Sequence, residues 1–228
     1  MKIYQTHGDA AAARLGKALR ACPLVAILRW ITPPEVEDVA AAVVEEGFGI
    51  LEVPLNSPDA LVSIERLARR FGEQAVIGAG TVISPAAVLQ VRDSGGTMIV
   101  MPHADVGVIR AARDQGMSCI PGVATPTEGF AALNAGATAL KVFPAEAISP
   151  SVLKAWRAVF SKDIPLLPTG GVTEESMAAW RAAGATGFGI GGNLYRPGRS
   201  ASEVREAARS FVSAWSATSP AFGTLRSL

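Results

Sequence analysis

The chain has 228 residues and a mass of 23.6 kDa, is 49% hydrophobic and 18% charged, and has a mean hydropathy of +0.29, which supports a large buried core and excludes a disordered chain. Its 21 basic residues nearly cancel 20 acidic ones, so no global field attracts nucleic acid or an anionic membrane. Cys22 and Cys119 show no CxxC or CxH spacing and His7 and His103 stand alone, which argues against a zinc finger, a His-rich metal site and a disulfide scaffold.

MKIYQTHGDA has no apolar h-region, and the PLVAIL run stops at Arg29, so neither a secretory nor a membrane segment is expected. Cysteines without a framework suit a reducing compartment, and the expected location is the cytoplasm. The first element is a helix over about 9–22, with Leu15, Leu19 and Cys22 on one face. Short apolar, β-branched runs then recur: VAILR at 25–29, ILEVPL at 50–55, AVIGAG at 75–80 and MIVMP at 98–102. SCIPG at 118–122, LKVFP at 140–144, PLLPTGG at 165–171 and GFGIGG at 187–192 continue the series. Each reads as a buried strand, and the stretches between them have helical periodicity. In EVEDVAAAVVEEGF, for instance, Val36, Val39, Ala40 and Val43 share a face.

Helix starts are marked by a hydroxyl before proline at Thr32-Pro33, Ser57-Pro58, Ser84-Pro85, Thr125-Pro126 and Ser149-Pro150. Glu35 and Glu128 complete capping boxes with Thr32 and Thr125, and Asp105, Thr173 and Asn193 fill the remaining places. These caps are 20 to 27 residues apart, giving eight βα units. The predicted fold is a compact (β/α)8 TIM barrel in one domain spanning 1–228, with its core at about 23–197. The first helix should cover the barrel bottom, and a last helix over about 201–217 precedes a tail. No GxGxxG follows the first strand, which counts against a dinucleotide fold.

In such a barrel the chemistry sits where strands end. Only five residues are lysines, and Lys141 alone lies in a predicted strand. It reads either as a snorkelling, ion-paired or outward lysine, or as a desolvated amine able to form a Schiff base with a carbonyl. Glu52 sits in ILEVP and reads either as a structural ion-pair partner or as a proton carrier. Strands 2 and 6 face each other across an eight-stranded barrel, so an inward Glu52 and an inward Lys141 share one cavity. Arg29 ends strand 1 as either a helix-entry charge or a fork for a carboxylate or phosphate. Thr81 follows Gly78-Ala79-Gly80, where glycine admits a ligand to the backbone. Gly170-Gly171 and Gly191-Gly192 end strands 7 and 8, whose loops often hold a phosphate. His103 reads as a satisfied loop residue.

LEVPLNSP at 51–58, GAGTV at 78–82, ALKVFPAE at 139–146 and PTGGVT at 168–173 resemble the keto-deoxy-phosphosugar-acid aldolases. The resemblance covers about residues 23–197 in order. It implies a class I, metal-independent lyase that needs no cofactor and reversibly cleaves a 2-keto-3-deoxy-6-phospho-sugar acid to pyruvate and glyceraldehyde 3-phosphate, with a homotrimer as the common assembly. By it, Lys141 forms the imine and Glu52 moves the proton. Arg29, with the backbone near Thr81 and Pro102, holds the carboxylate; Gly170, Gly171, Gly191 and Gly192 hold the phosphate, and Thr169 meets a sugar hydroxyl. AILRWITP at 26–33 and LNSP at 55–58 are similar to the 6-phosphogalactonate branch, where the 6-phosphogluconate branch carries LRT in the second loop. Thr169 is similar to the gluconate branch, Gly192 stands where a serine is common, and Trp30 replaces a glycine. The gluconate epimer therefore stays open as substrate. A phosphosugar isomerase or a non-catalytic phosphate-ligand sensor would keep the glycine pairs but needs no lysine in strand 6.

Overall fold

The computed structural model describes residues 10–218. After helix α1 (Ala10–Ala21), strands and helices alternate: β1 (Leu24–Ile27), α2 (Val36–Glu45), β2 (Ile50–Pro54), α3 (Ala60–Phe71), β3 (Val76–Gly80), α4 (Pro85–Asp93), β4 (Met98–Val100) and α5 (Val106–Asp114). The second half runs β5 (Ser118–Ile120), β6 (Gly122–Val123), α6 (Pro126–Ala135), β7 (Leu140–Val142), a 3-10 turn (Ala145–Ala147), α7 (Pro150–Trp156), β8 (Leu166–Pro168), α8 (Glu174–Ala182), β9 (Phe188–Ile190) and α9 (Ala201–Ala217). The beginning of the predicted first helix, at Asp9, and the tail beyond Thr218 lie outside the described residues.

All strand pairs are parallel, in the orders β5-β4-β3-β2-β1-β9 and β6-β7-β8. Residues 169 and 189 form a parallel bridge between the two groups, past the end of β8. The result is an α/β fold around a curled parallel sheet. The predicted fifth strand is divided into β5 and β6 by Pro121, which has no N–H to give; its carbonyl still accepts from the Lys141 N–H at 2.9 Å.

Five of the predicted caps form. Ser84, Asp105, Thr125, Ser149 and Thr173 each accept the N–H three residues on, and Thr125 and Thr173 complete capping boxes with Glu128 and Ser176. Three do not. Pro33 and Pro34 delay α2 to Val36, because a residue before proline disfavours helical backbone; Thr32 instead donates its N–H and hydroxyl to Glu35. Ser57 accepts from the Trp30 N–H, and α3 starts after Asp59, which is left-handed. Asn193 donates to the Val172 carbonyl and starts no helix; the last cap is Ser200, in a capping box with Glu203.

Two apolar layers result. The larger lies between helices and sheet, where Val36, Val39, Ala40 and Val43 of α2 are buried as their spacing predicts. The smaller lies on the concave side of the sheet: Val25, Ile50, Val76, Met98, Val100, Ile120, Ala139 and Leu167, joined by Leu15 of α1. Complete burial of a leucine such as Leu15 contributes about 1.5–3 kcal/mol, which ties α1 to the strands.

Candidate active site

Side chains in a strand alternate between faces, so a residue two positions beyond an inward one also points inward. Val25, Ile50, Ala139 and Leu167 belong to the concave core, and two positions after them come Ile27, Glu52, Lys141 and Thr169. These four line one small pocket with Val25, Val100, Ile120, Leu167 and Gly189, just large enough for about one water molecule. Ile27, Lys141, Thr169 and Gly189 also line a second, outer pocket of about 340 Å³, together with Arg29, Phe143, Glu146, Val172, Asn193 and the glycines 170, 171, 191 and 192. Lys141 thus stands at the boundary of two spaces, with a carboxylate on one side and glycine loops on the other.

Lys141 is 6% exposed and Glu52 1% exposed. Neither carboxylate oxygen of Glu52 has a hydrogen-bond partner. Burial pushes the Glu52 carboxyl up from its ordinary value, opposed by the charges of Lys141 and then Arg29. Burial pushes the Lys141 ammonium down, opposed by Glu52 and assisted by Arg29. Both shifts favour a neutral amine, the form that attacks carbonyl carbon. The Lys141 Nζ lies 4.9 Å from the centre of the Phe143 ring. Gly80 leaves the room that the Glu52 carboxylate occupies: a Cβ there would stand 2.7 Å from Oε1.

Arg29 is half-buried, and its Nη1 donates to Asn56 Oδ1 at 3.2 Å. Gly170 and Gly171 have φ of +105° and +59°, backbone that favours glycine. Their Cα atoms pack against Glu146, whose Oε2 would be 2.2 Å from a Cβ on Gly170. Gly191 and Gly192 are open by comparison, with no atom within 4 Å of a Cβ on Gly192. Thr169 donates to the Leu167 carbonyl.

Eight of the ten residues singled out from the sequence line these two pockets; Thr81 and Pro102 line neither. Thr81 has a left-handed φ of +56°, and Pro102 packs its carbonyl against Gly122. His103 is exposed and also lies off both pockets. Sequence reasoning missed Phe143, Glu146 and Asn193 as lining residues. For Phe143 the signal was its spacing of two from Lys141; Glu146 and Asn193 are brought in by turns that carry no comparable period. Among the described residues no three of His, Cys, Asp or Glu converge as metal ligands, and no helix is long and apolar enough to cross a membrane.

The family model described as KDPG and KHG aldolase matches residues 15–205. The chain belongs to that family. This aldolase is 46% identical over 193 residues to the 2-dehydro-3-deoxy-6-phosphogalactonate aldolase of Escherichia coli (strain K12), covering 85% of the chain and 94% of the relative. The 2-dehydro-3-deoxy-phosphogluconate aldolase of Pseudomonas aeruginosa PAO1 is 30% identical over 171 residues, covering 75% of the chain and 77% of that protein. Among solved structures, one described as native KDPGal superposes with a TM-score of 0.85 at 45% identity, covering 86% of this aldolase and 95% of that chain.

Proposed function

We propose that the protein is a class I aldolase that reversibly cleaves 2-dehydro-3-deoxy-6-phosphogalactonate to pyruvate and glyceraldehyde 3-phosphate. The observation that carries the reading is the buried Lys141, its ammonium destabilised by burial, on a pocket wall shared with Glu52 and continuous with a glycine-lined chamber. The galactonate epimer is favoured over the gluconate one by the contrast between 46% and 30% identity to relatives named for each. We read the curled sheet as a closed (β/α)8 barrel in a single domain, its bottom covered by α1, and the working form as a cytoplasmic homotrimer.

The chemistry follows from the side chains. The neutral amine of Lys141 adds to the C2 ketone, and loss of water, with one proton supplied by the Glu52 carboxyl, leaves a protonated imine, which acts as electron sink. Glu52, through one water, takes the proton of the C4 hydroxyl. The C3–C4 bond then breaks, its electron pair flowing into the imine to give an enamine and releasing the aldehyde. Glu52 returns that proton to C3, and hydrolysis of the resulting imine frees pyruvate and the Lys141 amine, its released proton restoring the Glu52 carboxyl. Arg29 holds the C1 carboxylate with help from backbone near Thr81 and Pro102, although neither of those two residues lines the pockets. The loops bearing Gly170, Gly171, Gly191 and Gly192 hold the phosphate through N–H groups, and Thr169 meets a sugar hydroxyl.

Borohydride reduction in the presence of pyruvate tests the core of this reading. Mass spectrometry should find a three-carbon adduct on Lys141, and Glu52→Gln should keep that adduct while turnover falls by about 10²–10⁴-fold. An adduct elsewhere overturns the role of Lys141, and a fully active Glu52→Gln that of Glu52.

A further inference from the structure

The loop that carries Arg29 is built in an unusual way. Leu28 and Ile31 are both fully buried, and the Ile31 N–H reaches back to the Leu28 carbonyl, so Arg29 and Trp30 arch between two anchors. Trp30 is 48% exposed and has a φ of +67°, a left-handed conformation that a bulky side chain disfavours. Its N–H turns away from its own loop and donates to Ser57 Oγ at 2.9 Å. Ser57 is itself buried and fixed, its N–H donating to the Pro54 carbonyl at 2.9 Å where β2 ends. Three successive rungs therefore join the two loops: Leu28 N–H to the Glu52 carbonyl at 3.0 Å, Arg29 Nη1 to Asn56 Oδ1 at 3.2 Å, and Trp30 N–H to Ser57 Oγ.

We propose that Ser57 is a positioning residue that holds Trp30 in its left-handed arch and thereby aims Arg29 into the pocket it shares with Lys141. A helix-capping role does not account for this hydroxyl, because α3 begins only at Ala60. Loss of the hydroxyl leaves the Trp30 N–H partly buried without its acceptor and removes a bond that maintains a disfavoured φ. The arch then relaxes, and a guanidinium fork needs fixed alignment to grip a carboxylate. The inference rests on the reading of Arg29 as the carboxylate group's partner.

Steady-state cleavage of 2-dehydro-3-deoxy-6-phosphogalactonate by Ser57→Ala, Ser57→Thr, Trp30→Gly, Arg29→Met and the paired variants tests it, with circular dichroism to verify folding. Ser57→Ala should raise KM about 5- to 20-fold with kcat within about twofold, because ground-state binding is what it loosens. Ser57→Thr, which keeps the hydroxyl, should return KM to within about threefold of the parent. In the Arg29→Met background Ser57→Ala should add less than about twofold, since the residue it positions is gone. With Trp30→Gly the left-handed backbone is native to the residue, and Ser57→Ala should again cost less. Should Ser57→Ala not fold, Ser57→Cys, a weak acceptor of similar size, carries the same contrast. An unchanged KM for Ser57→Ala beside a raised one for Arg29→Met overturns this proposal alone. An equal Ser57→Ala effect in the Arg29→Met background also overturns it, as a merely structural role would give. An unchanged KM for Arg29→Met overturns the reading of Arg29 itself, and this proposal with it.

Discussion

Replacing Gly80 by alanine separates the cost of folding from the cost of proton transfer. Gly80 ends β3, and its φ is not among the positive ones, so alanine meets no backbone strain. The added Cβ would stand 2.7 Å from Glu52 Oε1, 2.9 Å from Cδ and 3.1 Å from Oε2. Ordinary contact begins near 3.5 Å, so the carboxylate must move by about 0.8 Å. What yields is the far end of a flexible side chain with no hydrogen bonds to break, and stability should fall by only about 1 kcal/mol. Proton relay is far less tolerant. A displacement of this size should slow cleavage by about 10- to 100-fold, or about 1.4–2.7 kcal/mol in the barrier. The assay follows pyruvate release by a coupled oxidation of NADH, alongside borohydride trapping and a thermal melt. Trapping on Lys141 should persist, because imine formation uses the amine. Gly49→Ala is the control, since its Cβ would lie 3.6 Å from the nearest atom, the Ala18 Cβ. Parental turnover in Gly80→Ala would refute the claim that Glu52 acts from a fixed place, and equal losses in Gly49→Ala would trace the effect to general destabilisation.

Gly192→Ser should be tolerated, because nothing lies within 4 Å of the new Cβ. Stability should stay within about 0.5 kcal/mol, and a hydroxyl in the outer pocket should lower KM for the phosphorylated substrate by about threefold; an unchanged KM refutes phosphate binding there. The pH dependence of trapping reads the coupling between Lys141 and Glu52. The free amine is the nucleophile, so trapping falls as pH drops through the Lys141 value, already lowered by burial. The charge of Glu52 opposes that lowering, so Glu52→Gln should move the midpoint of trapping further down in pH, and an upward shift would refute the coupling.

What could be read from the sequence follows how far each interaction reaches along the chain. The strand runs and the buried face of α2 are carried by periods of two and 3.6 residues, and they fall where predicted. Lys141 and Glu52 stood out because a charged group inside an apolar strand needs a reason, and the period of two then puts both on the concave side. The caps at Ser84, Asp105, Thr125, Ser149 and Thr173 bond three residues ahead, so local spacing was enough. Ser57-Pro58 is indistinguishable from Ser84-Pro85 at that range. The difference is the Trp30 N–H, 27 residues away, which has no acceptor in its own turn and so competes for the Ser57 hydroxyl. Asn193 is drawn off in the same way by the Val172 carbonyl, 21 residues back. Asn193 lines the outer pocket, and Ser57 is bonded to the loop whose Arg29 lines it, whereas Thr32, the third cap that fails, keeps a local bond to Glu35. On loops at the pocket the backbone leaves its regular ladders, and its unpaired N–H and C=O groups must find side chains from other loops. A local start signal is therefore least dependable at the ends of the strands that carry the chemistry, and a Ser-Pro there that caps no helix points to a cross-loop bond.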